Sequence, residues 1–194
     1  YLSHRDRHAP QTVIYAFVLN DVPLRGAPAP DGTDIAFQLP NRGAYEAQIE
    51  GDALWGPLMG HSAIGRLVAE RLITRRIHHD TLQTYLDTYA PTNDTAINEA
   101  MDLIGAMDEL VSARGGRFLV VIWPLLEQLD DYPFDAIHER INTALAERKV
   151  SVLDLLPTFR GQDAATLHVH PTDHHPNERA HRMAAEAIAR ALTR

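Results

Sequence analysis

Three short apolar runs, each closed within a few residues by a proline, constrain this chain more than any other feature. Thr12 to Leu19 (TVIYAFVL) runs out through Asn20-Asp21-Val22-Pro23, Arg117 to Trp123 (RFLVVIW) stops at Pro124, and Lys149 to Leu156 (KVSVLDLL) stops at Pro157. The first two are apolar at successive positions and rich in β-branched and aromatic residues, the pattern of strands buried on both faces. The third has the length and the terminating proline of a strand.

Helical periodicity fills most of the space between these runs. From Ser62 to Ile77, the apolar positions Ile64, Leu67, Val68, Leu72 and Ile73 recur at helical spacing, with Ser62 as N-cap and His78-His79 expected near the C-terminal dipole. A helix is expected from about Thr95 to Ala113, burying Ala96, Ile97, Ala100, Leu103, Ile104, Met107 and Leu110 and ended by Gly115-Gly116. Pro133 to Glu147 places Phe134, Ile137, Ile141 and Leu145 on one side, and the last helix, from Asn177 or Glu178 to Leu192, buries Met183, Ala184, Ala187, Ile188 and Ala191. The stretch from Pro23 to about Pro57 is broken by Pro28, Pro30 and Pro40 and reads as an irregular surface excursion. A second polar loop includes Pro91-Thr92-Asn93-Asp94; both the segment after Asn20 and that around Tyr85 to Asp94 are placed to form a lid or substrate wall.

Strands alternating with helices of these lengths predict one α/β domain, residues 1–194, with a parallel sheet flanked by helices. Right-handed crossovers bring the C-terminal ends of all strands to one edge, where such folds build their sites. Asn20, Trp123 and the loop after Leu156 belong to that edge.

Composition removes several chemistries. The chain has no Cys, so thiol nucleophiles, disulfides and thiolate metal sites are excluded. Its net charge of -8 argues against nonspecific nucleic-acid binding, which needs clustered Lys and Arg. No run is long and apolar enough for a membrane span, and the first residues, Tyr1-Leu2-Ser3-His4-Arg5, hold no signal-peptide core. They also lack an initiating Met, so the chain is expected to be a processed piece, and its compartment is not specified.

The densest chemistry lies in His170-Pro171-Thr172-Asp173-His174-His175-Pro176-Asn177, a Pro-bounded turn directly before the last helix. An imidazole near its own pKa is a general base at neutral pH, and a neighbouring carboxylate fixes its tautomer. Together with Ala180 and His181-Arg182 after it, and with Phe17-Val18-Leu19-Asn20-Asp21 after the first strand, this block resembles the SGNH (GDSL-type) hydrolases. The resemblance implies a three-layer, flavodoxin-like sheet, ester hydrolysis or acyl transfer, His175 as general base, Asp173 as its orienting acid and Asn20 as an oxyanion-hole donor. It implies a small-molecule or carbohydrate ester as substrate, and no metal or organic cofactor.

The chain departs from the family at its start. The family's Gly-Asp-Ser turn and a second Gly-bearing block precede the Asn-bearing strand, so the first strands and the nucleophile are expected outside this chain, on an N-terminal segment. The competing expectation is a noncatalytic pseudoenzyme or binding module.

Several motifs imitate other sites. Gly51-Asp52-Ala53-Leu54 has Ala where a nucleophile would stand and follows Asn20 instead of preceding it. Gly60-His61-Ser62-Ala63-Ile64-Gly65 resembles a hydrolase elbow, but its second Gly comes one residue late and helix capping accounts for Ser62. Ser3 reads as a surface residue. His168, His170, Asp173, His174 and His175 suit a zinc or iron site by residue type, yet adjacent side chains in a turn cannot all face one ion. His170 and His174 are read as bystanders, His181 as a structural helix residue in place of a second base, and Asp21 as bonded within its own loop.

Overall fold

The computed structural model describes residues 10–24, 42–52, 56–57, 61–171 and 173–193. In chain order its elements are β1 (Thr12–Val18), α1 (Arg42–Glu50), α2 (Ala63–Thr88), α3 (Asp94–Ser112), β2 (Arg117–Trp123), α4 (Asp135–Glu147), β3 (Val152–Asp154), the single turn α5 (Leu156–Phe159), β4 (His168–His170), β5 (Asp173–Pro176) and α6 (Glu178–Leu192). The chain divides into two compact units, Tyr1–Pro23 with Pro91–Arg194, and Leu24–Ala90.

The first unit is an α/β arrangement. β1, β2 and β3 form a parallel sheet in the order β1-β2-β3. The register pairs Thr12 with Arg117 through Val18 with Trp123, and Val120 with Val152 through Ile122 with Asp154. All three strands therefore end at one edge, at Val18, Trp123 and Asp154. α3 packs on β2, α4 on β3 and on α3, and α5 on α6. The core is drawn from the periodic positions: Phe118 to Ile122 on β2, and Phe134, Ile137, Ile141 and Leu145 beside or on α4.

The junction between α3 and β2 needs glycine. Gly115 has φ +73°, and a Cβ on Gly116 would stand 2.9 Å from Val111 Cγ1 and 3.3 Å from the Pro10 carbonyl oxygen. The expected Gly-Gly stop is thus also the place where the chain passes close to Pro10, two residues before β1.

Several expectations need correction. β1 is not buried on both faces: Phe17 is buried, but Ile14 is 44% exposed and Ala16 is exposed. Its odd and even positions alternate in burial, the behaviour of a strand covered on one face. β3 is shorter than Lys149–Leu156 because Lys149, at φ +59°, and the Val150 N–H bond to Leu145 O (3.0 Å) still belong to the close of α4. On α3, Leu103 and Leu110 point outward, while Met101 and Val111 join Ala96, Ile97 and Ile104 inside.

The second unit holds α1 and α2. A regular helix at Arg42–Glu50 stands in what reads as an irregular stretch, because no proline falls between Pro40 and Pro57. Tyr45 donates to Asp80 Oδ2 at 2.6 Å, and that bond, ahead of one from His79, holds the Asp80 carboxyl down to about 2. Ser62 caps α2 as expected, its hydroxyl accepting from Gly65 N at 3.2 Å. α2 then runs past Ile77 to Thr88, so His78-His79 are mid-helix and Tyr85 to Thr88 are not loop. Thr84 and Thr88 turn their hydroxyls back onto Asp80 O and Thr84 O (2.7 and 2.8 Å), which satisfies them within the helix. The buried positions of α2 include Gly65, Ala69 and Ile73, whereas Ile64, Leu67, Val68 and Leu72 are exposed. Ser3, Ala53 and Leu54 lie outside the described residues.

Candidate active site

The stretch that reads as a turn is an antiparallel hairpin. β4 pairs with β5, and His170 stands opposite Asp173. Asn177, the residue between β5 and α6, holds the hairpin to the helix with every polar group it has. Its N–H donates to Leu167 O (2.8 Å), its Nδ2 donates to Thr166 O and His168 O (both 3.0 Å), and its Oδ1 accepts from Arg179 N (3.0 Å) and Ala180 N (3.2 Å). An Asn at an N-cap satisfies orphan helix donors and fixes the entry of the chain. Here it also fixes the strand that carries His175.

The hairpin in turn is docked on the segment leaving β2. His168 Nε2 donates to Leu126 O at 2.7 Å, and its ring stacks on that of His174, with centroids 4.4 Å apart. His174 Nδ1 pairs with Glu127 Oε1. The His181 ring, on the first turns of α6, meets Trp123 edge-on at 5.5 Å. The C-terminal edge of the sheet therefore supports the hairpin.

Asp173 and His175 are brought together. Asp173 Oδ1 lies 2.5 Å from His175 Nδ1 and also accepts from the His175 backbone N–H at 3.1 Å. A carboxylate only accepts, so Nδ1 must be the donor, and the neutral ring then carries its basic lone pair on Nε2. The hydrogen bond from the His175 ring, followed by that from its backbone, holds the Asp173 carboxyl below the usual carboxylate range. The imidazole is 86% exposed and the carboxylate 48%, so the ring is open to solvent.

Asn20 occupies the 3-10 turn Leu19–Asp21 immediately after β1 and is exposed, at the same sheet edge. Asp21 bonds back to β1 instead of within its own loop, accepting from Val18 N (3.0 Å) and Tyr15 OH (3.1 Å). Burial, then the Asp21 charge and hydrogen bond, pushes the Tyr15 phenol up to about 12. Among the described residues no hydrogen bond joins Asn20 to Asp173 or His175. The described serines are used elsewhere or stand apart: Ser62 caps α2, Ser112 Oγ donates to Asp108 at 3.3 Å, and Ser151 is exposed ahead of β3. No group of three or more His, Asp or Glu side chains converges on a metal-sized site among the described residues.

A second histidine–aspartate pair escapes sequence reasoning. His138, 2% exposed, places Nδ1 2.9 and 3.1 Å from the two Asp154 oxygens, and its Nε2 lies 3.3 Å from Tyr132 OH. Asp154 also accepts from Asn142 Nδ2 (2.9 Å) and Leu156 N (2.8 Å), and the Tyr132 oxygen accepts from Leu125 N (3.0 Å). Burial pushes the Asp154 carboxyl up, but the hydrogen bond and charge of His138, with the bonds from Leu156 and Asn142, hold it below the ordinary range. Two signals for this network are present in the sequence: a carboxylate inside VLDLL, and a His in phase with Phe134, Ile141 and Leu145.

No family model, curated protein or solved structure matches this chain. The site therefore stands on its own geometry.

Proposed function

We propose that this chain carries the acid–base side of an SGNH (GDSL-type) serine hydrolase site. His175 is the general base, Asp173 orients it, Asn20 donates to the oxyanion, and the attacking serine lies on an N-terminal segment outside these residues. The observation that carries this reading is the 2.5 Å Asp173–His175 contact on a hairpin tied to the sheet edge that also carries Asn20. The strand order supports it further. Three parallel strands ordered β1-β2-β3 are compatible with part of a flavodoxin-like sheet ordered 2-1-3-4-5.

In this scheme the serine Oγ attacks the ester carbonyl while His175 Nε2 takes its proton. The Asn20 amide holds the oxygen of the tetrahedral intermediate, a contact worth about 3–4 kcal/mol when preorganised. Collapse expels the alcohol, which receives the proton from His175, and leaves an acyl-serine. Water, or an acceptor hydroxyl in a transfer reaction, is deprotonated by the same ring and releases the acyl group. The substrate is a small-molecule or carbohydrate ester, as in O-deacetylation, and the steps draw on no metal or organic cofactor.

A noncatalytic module is the second reading, favoured by the absence of any described serine bonded to His175. Fluorophosphonate labelling separates the two. The hydrolase reading expects no label on this chain alone and a label on an upstream serine in a longer form, reduced by His175→Ala. A longer form with no reactive serine supports the binding module instead, and labelling of Ser62 contradicts its role as a helix cap.

A further inference from the structure

Part of the apolar surface of the longest described helix faces outward. On α2, Ile64, Leu67, Val68 and Leu72 are 74%, 65%, 40% and 43% exposed, while the small residues Gly65 and Ala69 and the larger Ile73 are buried. At about 100° per residue the four exposed side chains fall within roughly 140° of arc, and Arg71 and Arg75 fall in the same arc. Both arginines are exposed. Glu70 is the one carboxylate between Ala63 and His79; it lies outside that arc, where its Oε1 takes Arg42 Nη2 at 3.0 Å.

The face is therefore aliphatic toward the N-terminus of α2, cationic further along, and free of acid. This runs against the charge of the chain as a whole, with 26 acidic residues to 18 basic and a net charge of -8. Exposed apolar stripes of this kind mark interaction surfaces. No described helix is long and apolar enough to cross a membrane, so α2 does not insert as a span.

We propose that α2 docks this face on an anionic lipid surface. Leu and Ile side chains insert at the headgroup boundary, while the arginine stems follow the apolar surface and carry their guanidinium groups to lipid phosphates. A protein partner is the poorer fit, because the aromatic anchors that dominate protein–protein contacts are missing from the face. A second copy docked through the same face would offer Arg71 and Arg75 no carboxylate, since the stripe carries none. The proposal is independent of the hydrolase reading.

The test is flotation of the purified chain with vesicles of phosphatidylcholine alone and of phosphatidylcholine mixed with phosphatidylglycerol. Binding to the mixed vesicles only, weakened by added salt, is the expected result. Arg71→Glu with Arg75→Glu weakens partitioning by about thirtyfold or more. Ile64→Asp with Leu67→Asp weakens it by about tenfold or more. All four side chains are exposed, so the helical circular dichroism of both variants should match the parent. Failure to float with the anionic vesicles overturns the proposal, as does equal binding to both compositions. Self-association in the absence of lipid, abolished by the Asp pair, also overturns it and assigns the face to a second copy.

Discussion

Two histidine–aspartate pairs stand at the C-terminal edge of the sheet in opposite surroundings. His138 and Asp154 are 2% and 18% exposed at the side chain, and both ring nitrogens of His138 have partners. His175 and Asp173 are 86% and 48% exposed, and among the described residues the His175 ring is engaged through Nδ1 alone. The same two residue types thus do different work. A buried pair must be fully hydrogen-bonded or it destabilises the fold, whereas an exposed pair can leave one nitrogen open for proton transfer. The buried pair ties β3, α4 and the segment after β2 together. The open pair sits on a hairpin that this segment supports through Leu126 and Glu127.

The largest expected effect separates the pairs by function. In a form of the protein that carries the serine, His175→Ala should lower kcat/KM for ester hydrolysis by about a thousandfold or more and leave the urea unfolding midpoint where it was. Unchanged kinetics would remove His175 from the chemistry and erase the contrast. Next in size is Asp154→Ala, which removes the partner of the buried His138 Nδ1 and of the Leu156 N–H, while Asn142 Nδ2 keeps its bond to the His138 carbonyl at 2.9 Å. A loss of about 3 kcal/mol in urea unfolding is expected, and a loss near zero would mean that the network is not formed. Tyr132→Phe removes the acceptor of Leu125 N–H and the partner of His138 Nε2. It should cost about 1–2 kcal/mol and speed hydrogen exchange at the Leu125 amide.

The smallest effects are in the acid limb of stability. The Asp154 carboxyl is held below its ordinary value in the folded chain. Its contribution is therefore complete above the unfolded value of about 3.9 and is lost as pH falls through the lower folded value. Urea midpoints measured down through that range should decline less steeply for Asp154→Asn than for the parent. The Asp173 carboxyl is lowered too, but solvent screens an exposed pair. Asp173→Asn should keep the parent's acid limb, and a flatter limb for it than for Asp154→Asn would reverse the comparison.

The two pairs were unequally legible in the sequence. Asp173 and His175 are two residues apart, within the reach of a local motif, and the same holds for Ser62 as cap of α2. His138 and Asp154 are 16 residues apart and meet only because α4 lies on β3. Glu127 and His174 are 47 apart and meet because the hairpin docks on the segment leaving β2. No spacing rule links residues at such distances, although a lone carboxylate in an apolar strand does signal that some partner must exist.

What the sequence determined by itself was therefore local: β2 from Arg117 to Trp123, the apolar side of α4, the cap of α2, the start of α6, and the glycine stop after α3. Each rests on side-chain period, a cap or a backbone conformation within a few residues. Tertiary structure alone decided which faces are covered. It left Ile14 of β1 partly in solvent, turned Leu103 outward, and buried Gly65, Ala69 and Ile73 of α2 in place of the larger stripe beside them. Hydrophobic periodicity marks an apolar face on a helix, but closeness of approach favours small side chains. The face that packs inside is settled by the shape of its surroundings, and that shape is not written in the helix itself.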